Sequence, residues 1–189
     1  MKVLKAILLS TILGSATLAS AQNPSSTSRF ETMDIASLTS QASQGNHHAQ
    51  FFLAKRLQKG EGVQKDANRA AYWYMRAAEQ NIAPAQLNLG IMYLRGEGVK
   101  ADMATGRKWL ESAAHLGDNR ASYALAMIDE RQQQLVDAYK WYDLSSRDGM
   151  LDDNIRGKAQ AKIGQLALNL SSSDIEKAKN SANHWFQNQ

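Results

Sequence analysis

The sequence predicts an all-α protein, a short solenoid of stacked helical hairpins, and three observations carry that expectation. The phrase KGEGVQK at residues 59–65 returns as RGEGVKA at residues 95–101, 36 residues later. Sliding the chain by that interval superposes Ala49, Ala85 and Ala121, then Leu53, Leu89 and Leu125, then Trp73 and Trp109. Between the glycines, apolar residues recur at helical spacing rather than in alternation. Repeats of this length mark stacked helical pairs, each too small to bury its apolar face alone.

The first element is set apart from the fold. Met1 to Lys5 carries two lysines, Ala6 to Leu18 is a short apolar run, and Ala19-Ser20-Ala21 offers small residues for cleavage. Residues 1–21 therefore read as a secretory signal peptide. The run is shorter than the roughly 20 apolar residues a membrane span needs, so no stable membrane insertion is expected after cleavage. The expected destination is export, to the periplasm first and the medium second. Cleavage would remove Lys2 and Lys5 and lower the formal charge from +4 to +2, which gives no footprint for nucleic acid. The chain has no cysteine, which excludes disulfides, thiolate metal sites and a cysteine nucleophile. Residues 22–32, QNPSSTSRFET, read as a flexible lead-in.

One unit shows how the others are built. Ala85 to Arg95 forms a first helix, and Gly96 supplies the left-handed turn that ends it. Gly98 keeps the connector tight, and Asp102 caps a second helix over about Met103 to Leu116. Trp109, Ala113 and Ala114 occupy its inner face, and Gly117 ends it. The glycines are punctuation. A phosphate-binding loop would follow its last glycine with Lys and then Ser or Thr, whereas Val63-Gln64 and Val99-Lys100 stand here.

These residues resemble the Sel-1-like repeat, a relative of the tetratricopeptide repeat. The second unit carries the resemblance best, with Ala85, Leu89, Gly90, Tyr93, Gly96, Gly98, Val99, Asp102, Trp109, Ala113, Ala114 and Gly117. It departs at Thr105-Gly106, and the first unit departs at Ala54 and Leu57. The resemblance implies a right-handed α-α superhelix. The expected organisation is a partial unit at 33–47, full units at 48–83 and 84–119, a degenerate unit at 120–150, and capping helices over 151–189. In the degenerate unit Trp141 follows Trp109 by only 32 residues, and the sequence leaves open a tight turn near Gln132–Gln134 or one longer bent helix. Apolar spacing places a helix over Asp153 to Asn169. Ser172 or Ser173 would cap a last helix over 174–187, with Glu176 completing a capping box.

The candidate binding residues lie on the first helices. Residues 53 and 57 face the partner helix, and residue 51 lies roughly 200° away. The opposite face then reads Phe51, Leu87 and Tyr123, next Lys55, Ile91 and Met127, and last Lys59, Arg95 and Arg131. In tetratricopeptide-like arrays this face lines a concave groove, so the resemblance implies an apolar floor with cations along one lip. The expected partner is a protein or extended peptide, with acidic character to match the lip. The same residues admit a packing role. Phe51, Leu87 and Tyr123 suit contacts between adjacent first helices, and cations in last turns offset the helix dipole.

His47 and His48 point about 100° apart and cannot hold one ion together, and His115 and His184 have no companions at ligand spacing. Asp152-Asp153 suits the start of a helix better than an acid/base pair. There is no G-x-S-x-G elbow and no Ser-x-x-Lys. No metal, cofactor or catalytic residue is assigned. Cysteine-rich members of the resembled family are described as binding or cleaving β-lactams, but those cysteines are absent here. The expected function is a non-catalytic scaffold or adaptor. A cell-wall or β-lactam enzyme is the disfavoured alternative, and a secreted host-interaction factor shares the mechanism but not the destination. The tryptophans at 73, 109, 141 and 185 are expected in the core rather than at a sugar site.

Overall fold

The computed structural model describes residues 24–147 and 153–187. The expected signal peptide and the first two residues of the lead-in lie outside them. Among the described residues ten helices follow one another: α1 Pro24–Thr32, α2 Ile35–Ser43, α3 His47–Lys59, α4 Ala67–Ala78, α5 Ala83–Arg95, α6 Met103–His115, α7 Asn119–Arg131, α8 Leu135–Ser146, α9 Asp153–Ala167 and α10 Ser172–Gln187. There is no strand among the described residues. Helices α3–α4, α5–α6 and α7–α8 pack as hairpins, and each hairpin packs on the next. The expected solenoid is the observed architecture.

The repeated phrase does the same work twice. Gly60 and Gly96 end α3 and α5 with left-handed backbones. The Asp66 and Asp102 N–H groups then donate to the carbonyls of Leu57 and Tyr93, both at 2.9 Å. Each aspartate side chain accepts from the first turn of the helix it precedes. At the far end of the units, Gly45, Asn81 and Gly117 all take positive φ, which turns the chain into the next first helix. In the degenerate unit Gln133 adopts φ 60°, so α7 and α8 are joined by the tight turn and not by a bent helix.

Buried amides tie unit to unit. Gln50 and Gln86, 36 residues apart, each donate to a carbonyl at the end of the preceding helix, Ala42 at 3.1 Å and Ala78 at 3.0 Å. Ser145 donates to the Asn119 carbonyl in the third hairpin. Leu53, Leu89 and Leu125 are fully buried, as their shared register requires. Trp141 is 1% exposed, while Trp73, Trp109 and Trp185 are half-buried against the core.

Two expectations are corrected. The lead-in is not wholly irregular, because Pro24–Thr32 forms α1. Its Phe30 is buried, 6.2 Å from the Phe52 ring, and Arg56 donates to the carbonyls of Met33 and Glu31. The last helix starts earlier than expected. Ser171, not Ser172 or Ser173, provides the cap, accepting from the Asp174 N–H at 3.1 Å and donating to its carboxylate at 2.6 Å. Glu176 has no part in it.

Candidate partner-binding site

The three rows of the first-helix face grade from core to solvent. In the inner row Leu87 is 6% exposed and belongs to the core. Phe51 and Tyr123 are half-buried, their rings 5.9 Å from Tyr74 and 5.2 Å from Tyr142. In the middle row Lys55 and Ile91 are half-buried and Met127 is 39% exposed. The Lys55 ammonium lies 5.7 Å over the Phe52 ring. In the outer row Lys59, Arg95 and Arg131 are all exposed, in the last turns of α3, α5 and α7. Lys59 pairs with Glu61 at 3.3 Å. Arg95 and Arg131 have no carboxylate partner among the described residues.

Two polar clusters were not foreseen, and they occupy equivalent places in the repeat. The Tyr74 hydroxyl donates to Gln58 at 3.0 Å, with Asn88 beside it. The Tyr142 hydroxyl donates to Glu130 at 2.6 Å, and Lys162 donates to the other oxygen of that carboxylate at 2.8 Å. Burial pushes both tyrosine hydroxyls well above their ordinary range. Burial would raise Glu130 as well, but hydrogen bonds from Lys162 and Tyr142 outweigh it and hold the carboxyl below its usual range. The signal was present in the sequence as Trp73-Tyr74 and Trp141-Tyr142, but the sequence reading singled out only the tryptophans.

One concavity escaped the sequence reading. It measures about 720 Å³ between α8 and α10, and Lys140, Lys177, Asn180, His184 and Trp185 are among its lining residues. The Lys140 ammonium stands 4.2 Å over the Trp141 ring and 5.7 Å over that of Trp185, and burial lowers its pKa. His115 stacks on Trp185 at 3.9 Å. No local pattern links Lys140 to a helix 40 residues downstream, so only the fold reveals it.

Among the described residues, no group of three or more His, Asp or Glu side chains is placed to hold a metal ion. No helix there is long and apolar enough to cross a membrane.

The family model of the Sel1 repeat matches residues 47–82, 83–118 and 157–188, more than half of the chain. The chain belongs to the Sel1 repeat family. The first two matches coincide with the hairpins α3–α4 and α5–α6. The third covers most of α9 and α10, the stretch read from sequence as a cap, while the α7–α8 hairpin forms without a match. Among solved structures, a Sel1 repeat protein from Oxalobacter formigenes superposes with a TM-score of 0.60 at 30% identity, over 69% of this chain and 53% of that one. An uncharacterized protein of Neisseria meningitidis serogroup B is 49% identical over 133 residues, 67% of this chain and 28% of its own length. The ERAD-associated E3 ubiquitin-protein ligase component HRD3B of Arabidopsis thaliana is 37% identical over 70 residues, 37% of this chain and 12% of that protein. This Sel1 repeat chain thus spans a minor part of either curated relative.

Proposed function

We propose that this Sel1 repeat chain is an exported, non-catalytic adaptor that holds an acidic, extended protein segment along its first-helix face. The observation that supports the proposal is the pair of exposed guanidiniums of Arg95 and Arg131, without a carboxylate partner among the described residues and in one register on successive units. Beside them Ile91 and Met127 give a narrow apolar strip, flanked by the half-buried rings of Phe51 and Tyr123. Leu87 is too deeply buried to touch a guest, so the strip is narrower than the sequence reading implies. Such a surface suits a segment with alternating acidic and apolar side chains, the apolar ones supplying affinity and the acidic ones orientation. Membership of a family that includes a ubiquitin-ligase component supports an accessory role. Export rests on the character of residues 1–21.

The test is selection of peptides from a random displayed library against the purified chain, followed by the double reversal Arg95→Glu and Arg131→Glu. The selected peptides are expected to be enriched in Asp and Glu. The double variant should bind them at least about tenfold more weakly, with its melting temperature within about 2 °C of the parent. Peptides without acidic enrichment, or affinity unchanged by the reversal, would refute the proposal.

A further inference from the structure

The buried amides of the first two units are held alike but satisfied differently. Gln50 and Gln86 are 1% and 3% exposed, and the Nε2 of each donates to a carbonyl in the last turn of the preceding helix. That shared bond turns both Oε1 atoms the same way. In the first unit Gln50 Oε1 accepts from Gln80 Nε2 at 2.8 Å, and the same nitrogen donates to the Arg76 carbonyl at 3.1 Å. In the second unit Gln86 Oε1 is buried and has no hydrogen-bond partner among the described residues.

One side chain makes the difference. Leu116 stands 36 residues after Gln80. The two share a backbone setting, because their N–H groups donate to the equivalent carbonyls of Ala77 and Ala113. Leucine carries no donor and stands 42% exposed, so the place that Gln80 fills in one unit is left open in the next.

That place is a concavity of about 400 Å³ between the end of α4 and the second half of α6, with Gln86 in its wall. Glu79 lines it too, and its carboxylate has no ion-pair or hydrogen-bond partner among the described residues. The residue equivalent to Glu79 in the first unit is Ser43, so the charge belongs to the second unit alone. Trp109 adds a half-buried ring with no aromatic or cationic partner among the described residues. No lysine or arginine lines the concavity.

Each feature restricts the guest. A buried acceptor left without a partner calls for an N–H or O–H donor, and the space is far larger than one water needs. The donor that fits in the first unit is the planar NH2 of a carboxamide. A guanidinium presents the same planar NH2, brings a positive charge to Glu79 and lays a flat face on an indole. An ammonium matches the charge but not the shape, and a carboxamide matches the shape but not the charge. The rim residues Glu79, Asn81 and His115 are exposed, so the end of a side chain enters while the chain that bears it stays outside.

We propose that this concavity is a further docking point, which takes an arginine side chain of a partner protein. The guanidinium donates to Gln86 Oε1, pairs with Glu79 and lies against the Trp109 ring. The point lies at the opposite end of α5 from Arg95 and beside the second helices, so it is separate from the first-helix face.

Titration of the isotope-labelled full chain with N-acetyl-arginine amide, followed by two-dimensional NMR, tests this. The Gln86 carboxamide, the Trp109 indole N–H and the Glu79 and Asn81 amides should shift saturably, with the millimolar affinity of a single side chain. The citrulline counterpart, alike in shape but uncharged, and the lysine counterpart should each bind at least about fivefold more weakly. Glu79→Gln should weaken arginine binding by a similar factor. Leu116→Gln restores the amide that the first unit has, and should abolish the shifts while the thermal melt stays at or above the parent value. Both substitutions are at exposed positions, so the fold is kept. Absence of saturable shifts, equal binding of the citrulline counterpart, or arginine binding indifferent to both substitutions would overturn the proposal. So would a long-lived water on Gln86 Oε1 that persists at saturating N-acetyl-arginine amide, because water and not the guanidinium would then satisfy the acceptor.

Discussion

Gly98 should be the least replaceable of the four glycines in the repeated phrase. Its φ is +67°, so any L side chain there pays the left-handed penalty of about 1–2 kcal/mol. The penalty alone does not distinguish it from Gly60, Gly62 or Gly96, which also have positive φ. The surroundings do. A Cβ on Gly98 would stand 2.1 Å from the Ala67 carbonyl oxygen and 2.3 Å from its carbon, where α4 of the preceding unit begins. Gly62 occupies the same place one unit earlier, yet its nearest neighbour is the Ile35 side chain at 3.8 Å. Relieving the Gly98 overlap requires a shift of more than an ångström (about 1.3 Å, from 2.1 Å to the 3.4 Å where ordinary contact begins) in the first turn of α4. That turn is fixed by the Asp66 cap on the Arg69 N–H at 2.9 Å. Losing the cap costs typically about 1 kcal/mol, and forced overpacking adds about 1–3 kcal/mol. Gly98→Ala should therefore destabilise by about 3–6 kcal/mol, and Gly62→Ala by about 1–2 kcal/mol. Urea denaturation of both variants, followed by far-ultraviolet circular dichroism, measures the difference. If the two costs agree within about 0.5 kcal/mol, the extrapolation error of such curves, the inter-unit contact at Gly98 does not exist as described.

Two further outcomes follow from charged pairs, one between α6 and α7 and one in the Tyr142 cluster. Asp129 is fully buried and accepts both guanidinium nitrogens of Arg107, at 2.6 and 3.2 Å. Asp129→Ala should cost about 2–3 kcal/mol, less than for a wholly buried pair because Arg107 is partly exposed, and adding Arg107→Met should restore part of it; strictly additive losses in urea denaturation would deny the coupling. Glu130 is held below its ordinary pKa, so its contribution to stability is complete above the unfolded value near 4.5 and fades as pH falls through the folded value. Urea midpoints should drop between pH 6 and pH 3 more steeply in the parent than in Lys162→Met, which lacks the pairing ammonium, and parallel profiles would remove Lys162 as the cause.

The sequence made the hairpins legible because helix capping and left-handed turns are local. Asp66, Asp102, Gly60 and Gly96 act within a few residues of themselves, so the 36-residue echo exposes them. Depth was less legible. Phe51, Leu87 and Tyr123 share one register, but leucine is short enough for its neighbours to cover it wholly, while the two rings reach past theirs. The last pair shows why local reading reaches a limit. Ser171, Ser172 and Ser173 are chemically equivalent caps, and Glu176 made Ser173 the natural choice. The structure selects Ser171 through the Asp174 side chain and N–H. That choice sets which residue arrives at the helix crossing. A cap at Asp174 would bring Ala178 there and let the hairpin close like the other three, whereas the cap at Ser171 brings Ile175. A three-residue difference in where a serine-rich turn ends thus decides whether α10 closes on α9 or packs on α8 and leaves that face of α9 to itself.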